Sequence, residues 1–140
     1  MDASWFEGMA DDARNRPEVY RRLGFGDLRL VVEESDGSRS RRFGLVLEGY
    51  DVLSAGELED VASFRPDATV SGSRETWDEM ATNIRKNGGA DLAHTLNALS
   101  IAETPLKVFS ADPLGRDKFF RYAETLQTLF DSLAREPVAI

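Results

Sequence analysis

The stretch PDATVSGSRETWDEMATNIRKNGG, residues 66–89, decides the fold because the period of its hydrophobic residues changes within it. The residues ahead of Gly72 predict a short strand. From Ser73 onward, apolar residues recur at i, i+3, i+4 and i+7, which is typical of an amphipathic helix, and Asn87-Gly88 predicts its end. The apolar residues of this helix are Trp77, Met80, Ala81 and Ile84. A strand that runs directly into such a helix indicates a sheet covered by helices.

Upstream, two runs of alternating apolar and polar residues flank Asp36-Gly37. They are DLRLVVEES, residues 27–35, and RRFGLVLEGYDV, residues 41–52. Because alternation is the period of a half-buried strand, the two runs predict a β-hairpin. Its expected inward residues are Leu28, Leu30, Val32, Phe43, Leu45 and Leu47. Residues 54–66 are compatible with one helical turn or with a covering loop.

The remaining segments predict helices and one more strand. We expect two short helices over residues 4–23 and a brief strand over 105–110. In KNGGADLAHTLNALS, residues 86–100, the part after the glycine pair predicts a helix with a stripe of Leu92, Leu96 and Leu99. Asp112 and Pro113 are typical of a helix start, here of a helix of about 20 residues that ends before Pro137. Its apolar residues are Phe119, Ala123, Leu126, Phe130 and Leu133.

This order of elements predicts an α+β fold, a small, mainly antiparallel sheet covered by helices with a long C-terminal helix. We expect a single domain over residues 1–140. Its parts would be N-terminal helices over 1–24, a core over 25–133 and a loose tail over 134–140.

Composition excludes several classes of function. The formal net charge is −8, of which −7 falls on residues 43–140, so neither nucleic acid nor stable membrane insertion is expected. The arginines at 39, 41 and 42 are interpreted as a solvated face of the hairpin. The chain has no cysteine, no apolar run long enough to span a bilayer and acids near Met1, which together favour a cytoplasmic protein.

Motifs for catalysis, metals and cofactors are weak. No phosphate-binding loop, nucleophile elbow or metalloprotease helix is present in the sequence, and we expect no metal and no cofactor. His94 is the only histidine, and Asp91 and Asn97 would lie near it on a helix. A position at the rim of a helix explains the same spacing, and the acids at 57–60 and 78–79 are interpreted as solvated. We therefore assign no catalytic residue.

Aromatic residues in the C-terminal half raise a second alternative. Phe119 and Phe120 are adjacent on the predicted helix, so both cannot face the sheet. One of these two, or Tyr122, must therefore point towards another helix, solvent or a cavity. The pattern fits either a plain core or a pocket lined by apolar groups.

The chain resembles the sterol carrier protein type 2-like domains over roughly residues 25–133. The segment 66–89 resembles the family's strand that enters a helix ending at a glycine turn, and PLKVFSADPLGRDKFFRYAETLQTLFD, residues 105–131, resembles its later strand and closing helix. The upstream hairpin resembles the opening strands. The resemblance implies a five-stranded sheet covered by helices, with an apolar tunnel for sterols, fatty acids or acyl-CoA.

Carried over by position, the resemblance makes a set of residues candidates for ligand binding. Residues 86–104 are longer than the corresponding turn of the family, so we expect them to cap the tunnel, with polar groups at its mouth. The peroxisomal Ser-Lys-Leu-like ending is replaced by Val-Ala-Ile. The candidates are Trp77, Met80, Ala81, Ile84, Leu92, His94, Leu96, Asn97, Phe109, Phe119, Phe120, Ala123 and Leu126.

Three functions remain open from the sequence. The resemblance favours a non-enzymatic carrier of an apolar ligand such as a sterol, a steroid intermediate, a fatty acid or an acyl-CoA. The alternatives are an interaction module that acts as a homodimer or as a subunit of a lipid- or steroid-metabolising enzyme, and a ketosteroid isomerase-like enzyme. The long C-terminal helix disfavours the isomerase, whose fold ends in strands.

Overall fold

The computed structural model describes residues 1–135, which form a five-stranded sheet with helices packed mainly on one face. The predicted α+β class is confirmed. The helices and strands are α1 (Ala3–Asn15), α2 (Pro17–Leu23), β1 (Gly26–Asp36), β2 (Arg39–Gly49), β3 (Asp51–Glu57), α3 (Val61–Phe64), β4 (Ala68–Ser73), α4 (Arg74–Asn87), α5 (Leu96–Ser100), β5 (Lys107–Phe109), α6 (Pro113–Arg121) and α7 (Ala123–Asp131), followed by a 3₁₀ turn (Ser132–Arg135).

The sheet is built around the predicted hairpin. Its strand order is β3-β2-β1-β4-β5, and all pairs are antiparallel except β1 with β4. Asp36 pairs with Arg39, so Gly37 and Ser38 alone form the turn. The register places all six predicted inward residues opposite one another in three pairs, namely Leu28–Leu47, Leu30–Leu45 and Val32–Phe43. Each of the six is buried.

One strand, β3, is not predicted by the sequence pattern. Gly49 has a φ of +68°, and the chain reverses there to run back along β2. The strand contains the small residues Ser54, Ala55 and Gly56, and most of it is exposed or half-buried, so it has no clear alternation. Residues 54–66 therefore divide between the end of this edge strand and the short helix α3.

Aromatic side chains fill the layer between the sheet and the helices. Phe6 of α1 stacks on Phe43 of β2, with ring centroids 4.6 Å apart. Trp5 lies edge-on to Phe130 and donates its indole N–H to the Phe130 carbonyl at 3.0 Å. Trp77 of α4 donates to the carbonyl of Glu33 at 2.9 Å. Because both indole N–H groups are satisfied, these rings can be buried without a polar penalty.

The outer face of the sheet has a smaller apolar cluster. Val31 and Val46 are buried there beneath Phe64 of α3. The guanidinium of Arg29 lies 4.5 Å from the centre of the Phe64 ring. The predicted solvated arginines of the hairpin form ion pairs across strands, Arg41 with Glu57 and Arg42 with Glu33.

Two helices differ from the predictions. The C-terminal helix is interrupted at Tyr122, which separates α6 from α7. The predicted end of α4 is confirmed, with Gly88 at a φ of +77°, but the helix predicted after the glycine pair is wrong in its first half, because only Leu96–Ser100 is helical there. Leu92 consequently lies in a turn, 91% exposed, rather than in a buried stripe. Of the predicted loose tail, residues 136–140 lie outside the described part.

A glycine fixes the approach of α6 to the sheet. A Cβ atom at Gly115 would lie 1.8 Å from the carbonyl oxygen of Asp67, which no side-chain movement can relieve. The helix therefore contacts the start of β4 directly and carries Phe119 into the core. Within residues 1–135, none of the helices is both long and apolar enough to cross a membrane.

A buried carboxylate joins the two ends of the described chain. Asp12 of α1 accepts two hydrogen bonds from Arg16, two from Arg135 and one from the Tyr20 hydroxyl, at 2.6 to 3.0 Å. Burial by itself would raise the pKa of Asp12, but these hydrogen bonds outweigh it and hold the pKa well below the ordinary 3.8. The carboxylate therefore fixes α1, α2 and the 3₁₀ turn to one another.

We expect Asp12→Asn to lower the free energy of unfolding by about 2 kcal/mol at pH 7, since it leaves a buried amide facing two cations that retain some contact with water. The lowered pKa means that the contribution of Asp12 is present above pH 3.8 and is lost as the pH falls below it. Urea unfolding followed by tryptophan emission at pH 7 and at pH 3 measures both effects. Asp11→Asn, in the exposed pair with Arg14, is the control and should change stability little; an equal loss in both variants would contradict the prediction.

Candidate functional site

Six of the thirteen candidate residues lie in the packed interior. They belong to one apolar cluster between the inner face of the sheet and the helices, and none has measurable exposure. They are Trp77, Met80, Ile84, Leu96, Phe119 and Leu126. The structure therefore brings these residues together, and in this conformation their side chains contact one another where the resemblance implies a tunnel.

Three further candidates meet at the surface, in an open groove between α5 and the α6–α7 junction. This α5–α7 groove has a volume of about 460 Å³, within the range of about 300–1,000 Å³ that is usual for small-molecule pockets. It is lined by Thr95, Asn97, Phe120, Arg121, Ala123, Glu124 and Gln127. Of these, Asn97, Phe120 and Ala123 were predicted from the sequence.

One ring that lines the groove also contacts the interior. The half-buried Phe120 contacts the buried Phe119 edge to face, with ring centroids 5.1 Å apart. The guanidinium of Arg116 lies 5.1 Å from the centre of the Phe120 ring on α6. Of the three aromatic residues that the sequence left open, Phe119 is buried and Phe120 is the one that lines the groove.

The groove residues that the sequence analysis missed are polar or charged. Phe120, Ala123, Glu124 and Gln127 stand at i, i+3, i+4 and i+7, so helical spacing from the two predicted residues would have found the other two. Glu124 and Gln127 are also typical of a solvated helix face, so their residue types alone do not indicate a site. Thr95 serves a second purpose, since its hydroxyl accepts the Ala98 N–H and caps α5.

Three candidates lie away from this groove. Phe109 is on the outer side of β5, 48% exposed with the Lys107 ammonium 5.0 Å from its ring centre, while Val108 faces the interior. Leu92 is in the turn described above. Ala81 is half-buried on α4 and lines a separate surface depression beside Trp5 and Leu133.

The segment of residues 88–106, here called the crossover segment, joins α4 to β5 and covers one side of α7. Asp131 accepts the Ala90 N–H at 3.0 Å, and Gln127 accepts the Leu96 N–H at 2.7 Å. Gln127 also donates to Asp131 at 2.8 Å. The two α7 side chains therefore fasten the crossover segment through its backbone.

Asp91 attaches the same segment to α4. Its N–H donates to the Asn83 side-chain oxygen and its carboxylate accepts from the Asn83 amide, both at 2.8 Å. Asp91 also contacts Nδ1 of His94 at 2.6 Å, and the other ring nitrogen lies 3.1 Å from Glu79 of α4. These carboxylates, Asp91 first and then Glu79, raise the pKa of His94 above its ordinary 6.5.

His94 therefore holds the crossover segment to α4 and is absent from the residues that line the groove. The hydrogen bond to His94 in turn lowers the pKa of Asp91. The predicted proximity of Asp91 is confirmed, although a turn provides it rather than a helix. Within residues 1–135, no group of three or more histidine, aspartate or glutamate side chains is arranged to hold a metal ion.

We expect the NMR titration of the His94 ring protons to give an apparent pKa above 6.5, because protonation creates two ion pairs with the flanking carboxylates. Asp91→Asn should lower this pKa more than Glu79→Gln, since the Asp91 hydrogen bond is the larger cause. The charged His94 ring holds the crossover segment to α4 below pH 6.5. This attachment is lost as the pH rises through the raised pKa of His94. Asp78→Asn is the control; a His94 pKa that none of these changes alters would contradict the arrangement.

Comparisons with known proteins identify the fold. No family model and no curated protein sequence matches the chain. A solved structure of sterol carrier protein 2 superimposes with a TM-score of 0.67 at 16% identity, covering 97% of this chain and 97% of that chain. A conserved hypothetical protein from Thermus thermophilus, described as a possible sterol carrier protein, gives 0.66 at 14% identity, with 96% and 90% coverage.

A third structure, the apo form of sterol carrier protein 2 from Yarrowia lipolytica, gives a TM-score of 0.52 at 13% identity, with 94% and 90% coverage. The chain thus has the sterol carrier protein 2-like fold over nearly its whole length. The resemblance predicted from the strand–helix segment and the hairpin is confirmed at the level of fold.

Proposed function

We propose that this chain, which has the sterol carrier protein 2-like fold, is a cytoplasmic, non-enzymatic binding protein for an amphipathic lipid that enters through the α5–α7 groove. The observation that carries the proposal is the position of the groove, since Phe120, which lines it, contacts Phe119 of the apolar interior. The apolar part of the ligand would pass between α5 and α7, and its polar end would stay in the groove.

The packed interior means that binding requires movement. The ligand must displace side chains that now contact one another, and the apolar area that it buries, worth about 25 cal/mol per Å², must exceed the cost of that displacement. We expect the crossover segment to be the part that moves. Its described attachments include side-chain hydrogen bonds, each worth about 1 kcal/mol, and its fully buried apolar residues are Leu96 and Leu106.

The polar lining selects a ligand with a small head group. Asn97 and Gln127 supply amide groups suited to a hydroxyl or a carbonyl, and Arg121 supplies a cation suited to a carboxylate. Glu124 supplies an opposing negative charge in the same groove. A sterol or a fatty acid fits this lining better than an acyl-CoA, because the phosphates of the latter would meet a chain of net charge −8.

We expect the delipidated protein to bind a sterol or a fatty acid saturably, measured by tryptophan emission in a Trp5→Phe background that leaves Trp77 as the reporter. Ala123→Leu places a bulky group in the groove and should weaken binding at least tenfold. Ala62→Leu adds the same bulk on the exposed surface of α3 and should leave the affinity unchanged. Isothermal calorimetry gives a readout that does not depend on Trp77; equal affinities for both variants would exclude the groove as the entrance.

Ligand entry should be faster when the crossover segment is loosened by a change outside the groove lining. Asp131→Ala removes the acceptor of the Ala90 N–H and of the Gln127 side chain, and Asp131 itself is not among the residues that line the groove. A lost hydrogen bond of about 0.5–1.5 kcal/mol corresponds to a two- to tenfold rise in the association rate, which stopped-flow mixing measures. Asp117→Ala removes the same charge from the exposed face of α6 and is the control. An unchanged rate in Asp131→Ala would show that entry does not involve the segment.

A second candidate function is an interaction module that binds no small ligand, as a homodimer or as a subunit of a lipid-metabolising enzyme. The closely packed interior favours it, since six of the candidate lining residues have no exposed surface. Absence of binding to sterol, fatty acid and acyl-CoA by both emission and calorimetry would select this function over the first.

A further inference from the structure

Three large apolar side chains are exposed near one end of the sheet. Phe25 precedes β1, Tyr50 lies in the turn between β2 and β3, and Leu53 is the third residue of β3. Phe25 and Leu53 are each 65% exposed and Tyr50 is 46% exposed. The Phe25 and Tyr50 rings contact each other edge to face, with centroids 5.8 Å apart. We call these three residues the aromatic tip.

The backbone holds the aromatic tip outward. Gly26 and Leu28 face the interior in the alternation of β1, which leaves Phe25 no place in the core. Gly24 and Gly49 have φ values of +107° and +68°, conformations that glycine adopts without strain, and they set the two turns that carry the rings. The exposure of Phe25 and Tyr50 is therefore a property of ordered turns next to the sheet.

Charged residues close to the two rings in the sequence have a pattern that matches one kind of surface. Glu48 and Asp51, both exposed, are within two residues of Tyr50, and Arg21 and Arg22 form the last turn of α2 just before Phe25. Aromatic faces next to carboxylates attract quaternary ammonium groups, and guanidinium groups bind phosphate. A phosphocholine head group carries both charges. An anionic lipid surface would instead be repelled by the acids and by the net charge of −8.

We propose that the aromatic tip docks reversibly on phosphatidylcholine bilayers. Phe25 and Leu53 enter the boundary between head groups and acyl chains, and Tyr50 lies at the level of the head groups, where amphipathic rings are favoured. Glu48 and Asp51 face the choline groups. This docking deepens the lipid-binding function proposed above, yet it rests on the exposed residues alone, so the two can be tested apart.

Cosedimentation of the full chain with phosphatidylcholine vesicles tests the docking. The double variant Phe25→Ser/Leu53→Ser should bind at least tenfold more weakly, because burial of even one such side chain is worth about a factor of ten or more. The matched control is Phe109→Ser/Leu114→Ser, which removes two exposed apolar side chains elsewhere, 48% and 67% exposed. Its binding should equal that of the unaltered protein.

Several outcomes would overturn the docking proposal. These are no binding of the unaltered protein to phosphatidylcholine vesicles, equal losses in the two double variants, or tighter binding to phosphatidylglycerol vesicles. Sedimentation equilibrium tests whether a second copy of the chain covers the aromatic tip instead. A dimer of the unaltered protein that dissociates in Phe25→Ser/Leu53→Ser would also overturn the docking proposal. Ligand titration without vesicles should be unchanged in this variant, so loss of docking and loss of ligand binding are distinguishable.

Discussion

The pairing register of β1 with β2 is the constraint on which the rest of the structure depends. The turn at Gly37 and Ser38 places Leu28, Leu30 and Val32 opposite Leu47, Leu45 and Phe43, so a single face of the hairpin carries the large apolar side chains. A shift of one residue would move that set to the other face and leave the helices nothing to cover. The stacking of Phe6 on Phe43 and the burial of Trp77 follow from that face.

Helix α7 has two structural roles, which fall on different sides of the helix. Its inward residues, Leu126 and Phe130 among them, complete the core, while Gln127 and Asp131 on another side hold the crossover segment. The α5–α7 groove lies where these two sides meet. Any change that opens the groove therefore also acts on α7, the helix that completes the core. This coupling favours the conformation in which the interior is packed.

Much of the fold follows from the sequence because β1, β2, β4 and α4 have strong periods of two or 3.6 residues. Strand β3 is not predicted, because Ser54, Ala55 and Gly56 give it no alternation of apolar and polar residues. Its position depends on the reversal of chain direction at Gly49. The candidate site is predicted in part. Phe120, Ala123, Glu124 and Gln127 share one helical spacing, whereas the contact of Gln127 with Leu96 depends on where the crossover segment lies. That path is set by Asp91 and Asp131 through hydrogen bonds that no local pattern reveals.

The contacts between the two ends of the described chain also bear on the order in which the protein can fold during synthesis. Trp5 hydrogen-bonds to the Phe130 carbonyl, and Asp12 binds Arg135, so the first helices meet their final partners only after more than a hundred further residues have been made. The hairpin emerges from the ribosome long before α7 can complete the cover on its apolar face. Until then the cover available to that face comes from helices already made, among them α1, whose Phe6 stacks on Phe43, and α4, which buries Trp77.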